Sequence, residues 1–429
     1  MRRRLLFILS LFLLNTFNLR SQESDSIQSF SIGQKTIYSF IIQDSPARLF
    51  TMRQFNENYL SGYLLFNHLM NNSFSPKLNY LIQAVAGFVV FIPLTHEEGH
   101  RSILISKNIG SVSEPFFFSK RGGYIDGVTD ASLVSLRDKD FPVFARLYTA
   151  GLESDYMLTH REEAMFSFGK ASFKDLAVEY LMRKFMLMQY YLIGFFKYDV
   201  DGAEEKNELN RDIVGNDVYG IVRQLHRPTM PFKRYTRYSD LTSDEISYLK
   251  KMGYRSFLNL LNPNIIGISN IRVSKYLSLN LGMGHTMCPF GDFTDENLWL
   301  KIKGKLMIDT YFRQYQNKNH TFLAGGFGIK DYPLTNRFVS SIDIHFWDQP
   351  EKLSFTDDKA KFGGGVEWIG KYFFNTKEKY RRKGISLDFG LTYKTAGFLP
   401  EEIRMQKHFG MRLGTSIALD RSARQHIIH

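Results

Sequence analysis

A single cysteine, Cys288, stands in 429 residues. That excludes an internal disulfide framework and any Cys-based zinc ribbon, so a metal ion in this chain has to rest on His, Asp and Glu. Long apolar runs are also missing: the most apolar segment, Tyr80 to Leu94, falls short of the roughly 20 residues that a spanning helix needs and reads as a core helix. No RRM, zinc-finger or homeodomain pattern is present, which argues against a nucleic-acid partner. The glycine-rich stretches Gly325-Gly326-Phe327-Gly328 and Gly363-Gly364-Gly365 lack GKS and GxGxxG patterns, so they read as close packing or tight curvature rather than phosphate loops. With 44% hydrophobic and 23% charged residues, the chain is neither disordered nor a bundle of transmembrane helices.

What is present begins at the amino terminus. Arg2, Arg3 and Arg4 precede the apolar run Leu5 to Leu14, and Leu19-Arg20-Ser21 has small-residue cleavage character. This is the layout of a secretory signal peptide over residues 1–21, with a mature chain expected from Gln22. No cysteine at the junction offers itself for a lipid anchor. Removing residues 1–21, with four arginines and no acid, lowers the net charge from +12 to +8. An exported protein of this charge meets anionic lipid more readily than nucleic acid, and a bacterial envelope, periplasm or outer membrane, is the expected location.

The expected fold class is α+β multidomain. Residues 22–75 form a mixed lead segment, and 76–260 carry helical spacing, notably Phe141 to Phe168 and Asp175 to Phe196, with Ser243-Asp244-Glu245-Ile246 as a helix cap. Over 265–420 the hydrophobic period becomes two. Leu298, Leu300, Ile302, Leu306 and Ile308 share one face, opposite Lys301, Lys303, Lys305 and Asp309, and Ile385, Leu387, Phe389, Leu391 and Tyr393 repeat the pattern. About eight strands are expected, arranged as an antiparallel β-barrel domain. An outer-membrane barrel turns the apolar face to lipid and a soluble sheet turns it inward, and the sequence pattern is the same for both. Tyr311, Phe312, Trp347, Trp368, Tyr372, Phe373 and Phe374 near strand ends favour membrane girdles.

The chemistry-bearing motif is Thr95-His96-Glu97-Glu98-Gly99-His100-Arg101. On a helix His96 and His100 lie one turn apart on one face, so both imidazoles reach one ion, and Glu97 stands beside them to accept a proton from water. HEEGH resembles the HExxH signature of the zincin metallopeptidases. The resemblance covers the motif and its apolar approach, and it departs from the usual pattern in the charged Glu98 and Arg101. It implies Zn2+ as cofactor, His96 and His100 as metal ligands, Glu97 as general base, and hydrolysis of a peptide or protein substrate.

A third protein ligand is needed. No His follows His100 at metzincin spacing, since the next is His160. A gluzincin-like arrangement takes a Glu from a later helix, which points to Glu153, with Asp155 orienting an imidazole; Glu162, Glu163 and His160 compete for the role. A resemblance to site-2 intramembrane proteases is weaker, because Asn262-Pro263-Asn264 has Asn where an acid is required and Ile125-Asp126-Gly127 follows no apolar span. Tyr156, His160, His226 and Arg227 are candidate donors to a developing oxyanion. The segment Asn216-Asp217-Val218-Tyr219 through Pro228 has no metal-ligand spacing of its own and reads as structural. The alternative function is a non-catalytic outer-membrane barrel with a structural or relic metal site.

Overall fold

The computed structural model of the protein describes residues 35–44, 50–114, 123–197, 205–374 and 384–420. The expected signal peptide and the polar tail after 420 lie outside them. Strand β1 (Lys35–Asp44) comes first and is followed by helices α1 (Met52–Ser73), α2 (Pro76–Ala86) and α3 (Ile92–Ser106). Thr51 and Ser75 cap α1 and α2 by accepting from the Gln54 and Leu78 N–H groups. Between α2 and α3 the chain makes one π-helical turn, Gly87–Phe91, just ahead of Pro93. Proline has no N–H and its ring crowds the preceding turn, so the widened turn lets one helix of 31 residues, Pro76–Ser106, run through it. Its most apolar stretch is only one-third buried, unlike the core helix expected for Tyr80 to Leu94, and it is long and apolar enough to cross a membrane.

A short hairpin, β2 (Val112–Glu114) with β3 (Tyr124–Asp126), leads to α4 (Asp130–Lys139), α5 (Phe141–Ser167), α6 (Phe173–Phe196), α7 (Asp217–His226) and α8 (Ser243–Ser256). The α8 cap is Thr242, one residue before the expected Ser243, in a reciprocal box with Glu245. Nine strands follow: β4 (Ile271–Arg272), β5 (Leu277–Cys288), β6 (Gly291–Ile302), β7 (Leu306–Gln316), β8 (Thr321–Pro333), β9 (Phe338–Pro350), β10 (Ala360–Phe373), β11 (Gly384–Lys394) and β12 (His408–Asp420). With β1 they make one ten-stranded antiparallel sheet in the order β1-β12-β11-β10-β9-β8-β7-β6-β5-β4. The fold is thus α+β, a helical region followed by a large antiparallel sheet. The alternation through Leu298 to Asp309 is two strands rather than one, because Lys303 and Gly304 take positive φ and turn the chain back while preserving the parity. The lead segment supplies a further strand, β1, from before the helices. No hydrogen bond joins β1 to β4 among the described residues.

The polarity of the sheet is inverted relative to a water-soluble one. Its outward face carries Leu281, Phe312, Leu323, Phe327, Ile344, Phe346, Leu387, Phe389, Leu391 and Leu413, all exposed; among the described residues it carries charge at Glu296 and Asp348, and at Asp292, which is buried against Arg255 of α8. Its inward face buries Asp295, Arg313, Asp343, Asp388, Lys394 and Ser416. Of the expected girdle aromatics, Phe312, Trp368, Tyr372 and Phe374 lie on the outward side or in a turn, whereas Tyr311, Trp347 and Phe373 point inward. The glycines of β8 and β10 make room for them: a Cβ at Gly326 would strike the Tyr311 ring, and one at Gly363 the Trp347 indole.

The inward face closes on α5, which is buried along most of its length. Tyr156 donates to Asp295 (2.6 Å), whose carboxylate also receives Arg313 at 2.6 and 2.7 Å. Helices also cover the sheet edges. Ser61 and Asn58 of α1 pair with the Ser39 and Ile41 peptide groups of β1, and Asn259 pairs with the His285 peptide group of β5 at the other side. Such pairing satisfies edge groups that would otherwise recruit a foreign strand. Replacing Asp295 by Ala would strand Arg313 and the Tyr156 hydroxyl in the interior. A loss of about 3–5 kcal/mol is expected in denaturant unfolding, against within about 0.5 kcal/mol for Glu296→Ala on the outward face.

Candidate metal centre

Helix α3 places His96 and His100 one turn apart, with ring centroids 5.0 Å from each other. Their Nε2 atoms converge on Oδ2 of Asp217, at 2.8 and 3.4 Å, and the three donor atoms all lie within 4.8 Å of one another. Asp217 is the first residue of α7, where Asn216 caps the helix and the N-terminal dipole favours a carboxylate. Burial alone would raise the pKa of Asp217, but the His100 and His96 rings hold it well below the usual carboxylate range, so the side chain stays an anionic donor.

The far side of each ring is also engaged. His96 Nδ1 pairs with Asp155 Oδ2 at 2.8 Å, and His100 Nδ1 with the Leu147 carbonyl at 2.6 Å. A proton held on each Nδ1 leaves Nε2 as the ligating nitrogen. Asp155 is gripped by Arg183, which also donates to Thr95 Oγ1 at 2.7 Å and pairs with Glu179. Tyr190 of α6 stacks on the His96 ring, centroids 4.9 Å apart and planes 9° from parallel. Two glycines permit the approach of α3 to α5: a Cβ at Gly99 would press on the Ala150 carbonyl, and a Cβ at Gly151 would overlap both Nε2 atoms.

His96, His100 and Asp217 are buried, while Glu97 is only half-buried. Two imidazoles and one carboxylate are a donor set that could hold a metal ion, and the half-buried Glu97 is the next residue after His96 on the same helix. Nearby, burial and the carboxylates of Glu97 and Asp217 push the Asp212 carboxyl up to about 8. The charged residues that depart from the zincin pattern neutralise each other: Arg101 donates to Glu98 at 2.9 Å, and Ser113 adds a 2.6 Å bond to the same carboxylate.

Glu153, expected as the third ligand, does not join this group. It receives a bidentate pair from Arg146, at 3.0 and 2.6 Å, and the Glu401 N–H at 2.7 Å, so its oxygens are committed to holding the β11–β12 connection on α5. The geometry assigns the third position to Asp217, 117 residues beyond His100 and on a different helix from Glu153. The other candidates are placed elsewhere. Glu163 pairs with Lys184, Glu162 faces Glu179, and His160 packs on Trp299. Tyr156 donates to Asp295, His226 bonds the Val222 carbonyl and Arg227 pairs with Glu245, so none of the suggested oxyanion donors stands at the centre. Asp155 takes the orienting role expected of it. Asp217 lies in the segment expected to be structural and instead joins the metal group, while Tyr190 carried no signal of its own; the local sign at Asp217 is an Asn-Asp pair opening a helix, which is also an ordinary cap.

Compared with protein-family models, with curated proteins and with solved structures, the chain gives no match. Its function therefore has to be argued from the centre itself.

Metal analysis of purified protein separates the two carboxylates. Asp217→Ala should lose most of the bound metal, whereas Glu153→Gln should retain it with a lowered unfolding midpoint. Gly151→Ala should also lose metal, because its methyl group occupies the place where the two imidazoles meet.

Proposed function

We propose that the chain is a zinc-dependent hydrolase of peptide bonds, seated in the outer membrane of a bacterial envelope by a barrel-like sheet. The observation that carries the catalytic part is the convergence of His96, His100 and Asp217 beside a half-buried Glu97. His96, His100 and Asp217 would hold a divalent ion, which when bound would polarise a carbonyl and lower the pKa of water towards 7. Glu97 then accepts the proton from attacking water and returns it to the leaving amine, the double duty expected of a carboxylate at this place. Asp155, fixed by Arg183, and the Leu147 carbonyl hold the imidazoles in register. Peptide specificity is carried by the likeness of HEEGH to zincin sites.

What supports the membrane part is the inverted polarity of the sheet. On β11 the outward residues Ile385, Leu387, Phe389, Leu391 and Tyr393 alternate with inward Ser386, Asp388, Gly390, Thr392 and Lys394. They span roughly 27 Å at about 3.4 Å per residue along the strand, comparable to the apolar band of about 25 Å of an outer-membrane barrel, strand tilt aside. The gap between β1 and β4 is flanked by helices whose outer residues continue the apolar surface: Leu69, Leu78, Leu81 and Val85 on one side, Phe257, Leu260 and Ile266 on the other. A barrel completed by helices rather than by strand pairing accounts for this arrangement.

The decisive variant is Glu97→Gln, assayed on a peptide library alongside the unmodified protein. Metal content should be unchanged and turnover should fall by about 10²- to 10⁴-fold. Equal turnover in the two proteins would reject Glu97 as base and leave a structural metal site in a non-catalytic barrel.

A further inference from the structure

The turns of the sheet alternate between its two ends, and the two ends differ in charge. At one end lie the connections β4–β5, β6–β7 and β8–β9, together with β10–β11, most of which falls outside the described residues; among the described residues of these turns and the last residue of β4 stand Arg272, Lys275, Lys303, Lys305 and Arg337 and no acid. All five are exposed. The opposite end mixes signs: the β9–β10 connection carries Glu351, Asp357 and Asp358 against Lys352 and Lys359. Beside the basic turns stand exposed aromatics, Tyr332 and Tyr372 near the strand ends and Tyr276 and Phe374 in the turns themselves. Amphipathic rings at that level, capped by cations, match the sequence of environments met on leaving a bilayer core: acyl chain, interface, headgroup.

We propose that this basic end is a binding surface for the anionic phosphate headgroups of one bilayer leaflet. The inference rests on the lipid-facing reading of the sheet and adds to it an orientation and a headgroup class. Charge complementarity selects the lipid: an excess of exposed cations over acids among the described turns of this end favours phosphatidylglycerol-like headgroups over zwitterionic ones. The metal centre lies toward the other end. The residue Lys170, just beyond α5, pairs with Asp331 beside the basic turns, whereas Glu153, near the metal centre, holds Glu401 in the opposite β11–β12 connection. Substitutions in the basic turns therefore leave the metal ligands untouched.

The test uses the full chain reconstituted in phosphatidylcholine bilayers. Electron spin resonance measures the association of spin-labelled phosphatidylglycerol relative to spin-labelled phosphatidylcholine, for the unmodified protein and for Lys275→Glu/Lys303→Glu/Arg337→Glu. A preference for phosphatidylglycerol of roughly threefold or more at low salt is expected, falling with added salt and reduced to about one in the triple variant. Equal association of the two lipids, or a preference that survives the triple substitution, would overturn the proposal. A second measurement isolates the premise. Trp368 is the outward tryptophan, whereas Trp299 and Trp347 are buried inward, so acyl-brominated phosphatidylcholine should quench fluorescence in the unmodified protein and much less in Trp368→Phe. Quenching without headgroup preference rejects the anionic surface alone; absence of Trp368 quenching rejects the lipid-facing sheet and the proposal with it.

Discussion

The interaction on which the structure turns is the matching of charged side chains on α5 to the inward face of the sheet. Arg146 and Glu153 satisfy each other and then the backbone of the β11–β12 connection; Arg161 reaches Glu401; Tyr156 reaches Asp295. A helix with this many ionisable groups would not enter an apolar core, because each unpaired charge costs several kcal/mol or more to desolvate. It enters here because the β11–β12 connection meets its charges and inward strand residues such as Asp295 meet its other polar groups. The same choice sends the apolar alternates outward, so the apolar exterior and the polar interior are one decision of register.

The metal centre inherits its rigidity from that interior. Gly151 and Asp155 belong to the same buried stretch of α5 as Glu153, and they respectively make room for the two imidazoles and orient one of them. Arg183 ties Asp155 to α6 and to Thr95 at the start of the motif, so a shift in any of α3, α5 or α6 would be felt at the ligating nitrogens. A site intended to hold an ion benefits from such a supporting layer, since small errors in ligand position lower affinity and activity. Within HEEGH only Glu97 is left partly open, the one side chain whose proposed task requires contact with water.

Several parts of the fold were legible from local pattern. The period-two alternation identified the strands, and the parity of Ile385 to Tyr393 survives unchanged in the sheet. HEEGH on a helix put His96 and His100 together by geometry alone. The third donor was not legible, because Asp217 meets them through the docking of α7 against α3 and α5, and no spacing rule encodes a contact 117 residues away. Glu153 looked the better ligand since it occupies a helix at gluzincin-like distance, yet an arginine one and a half to two turns earlier, Arg146, claims it. Strand β1 was missed because ten residues ahead of a helical region carry no sign of a partner near the far end of the chain.

What the sequence by itself determined is the set of alternating segments, the helix that carries HEEGH and the exclusion of thiol ligands, all of them properties of neighbours within a few residues. The tertiary structure decided which face of the sheet looks outward, which carboxylate completes the metal group and which elements cover the sheet edges. Those outcomes depend on pairing free energies between groups far apart in the chain: a buried guanidinium or imidazole selects its carboxylate by distance in space and by the absence of competing water.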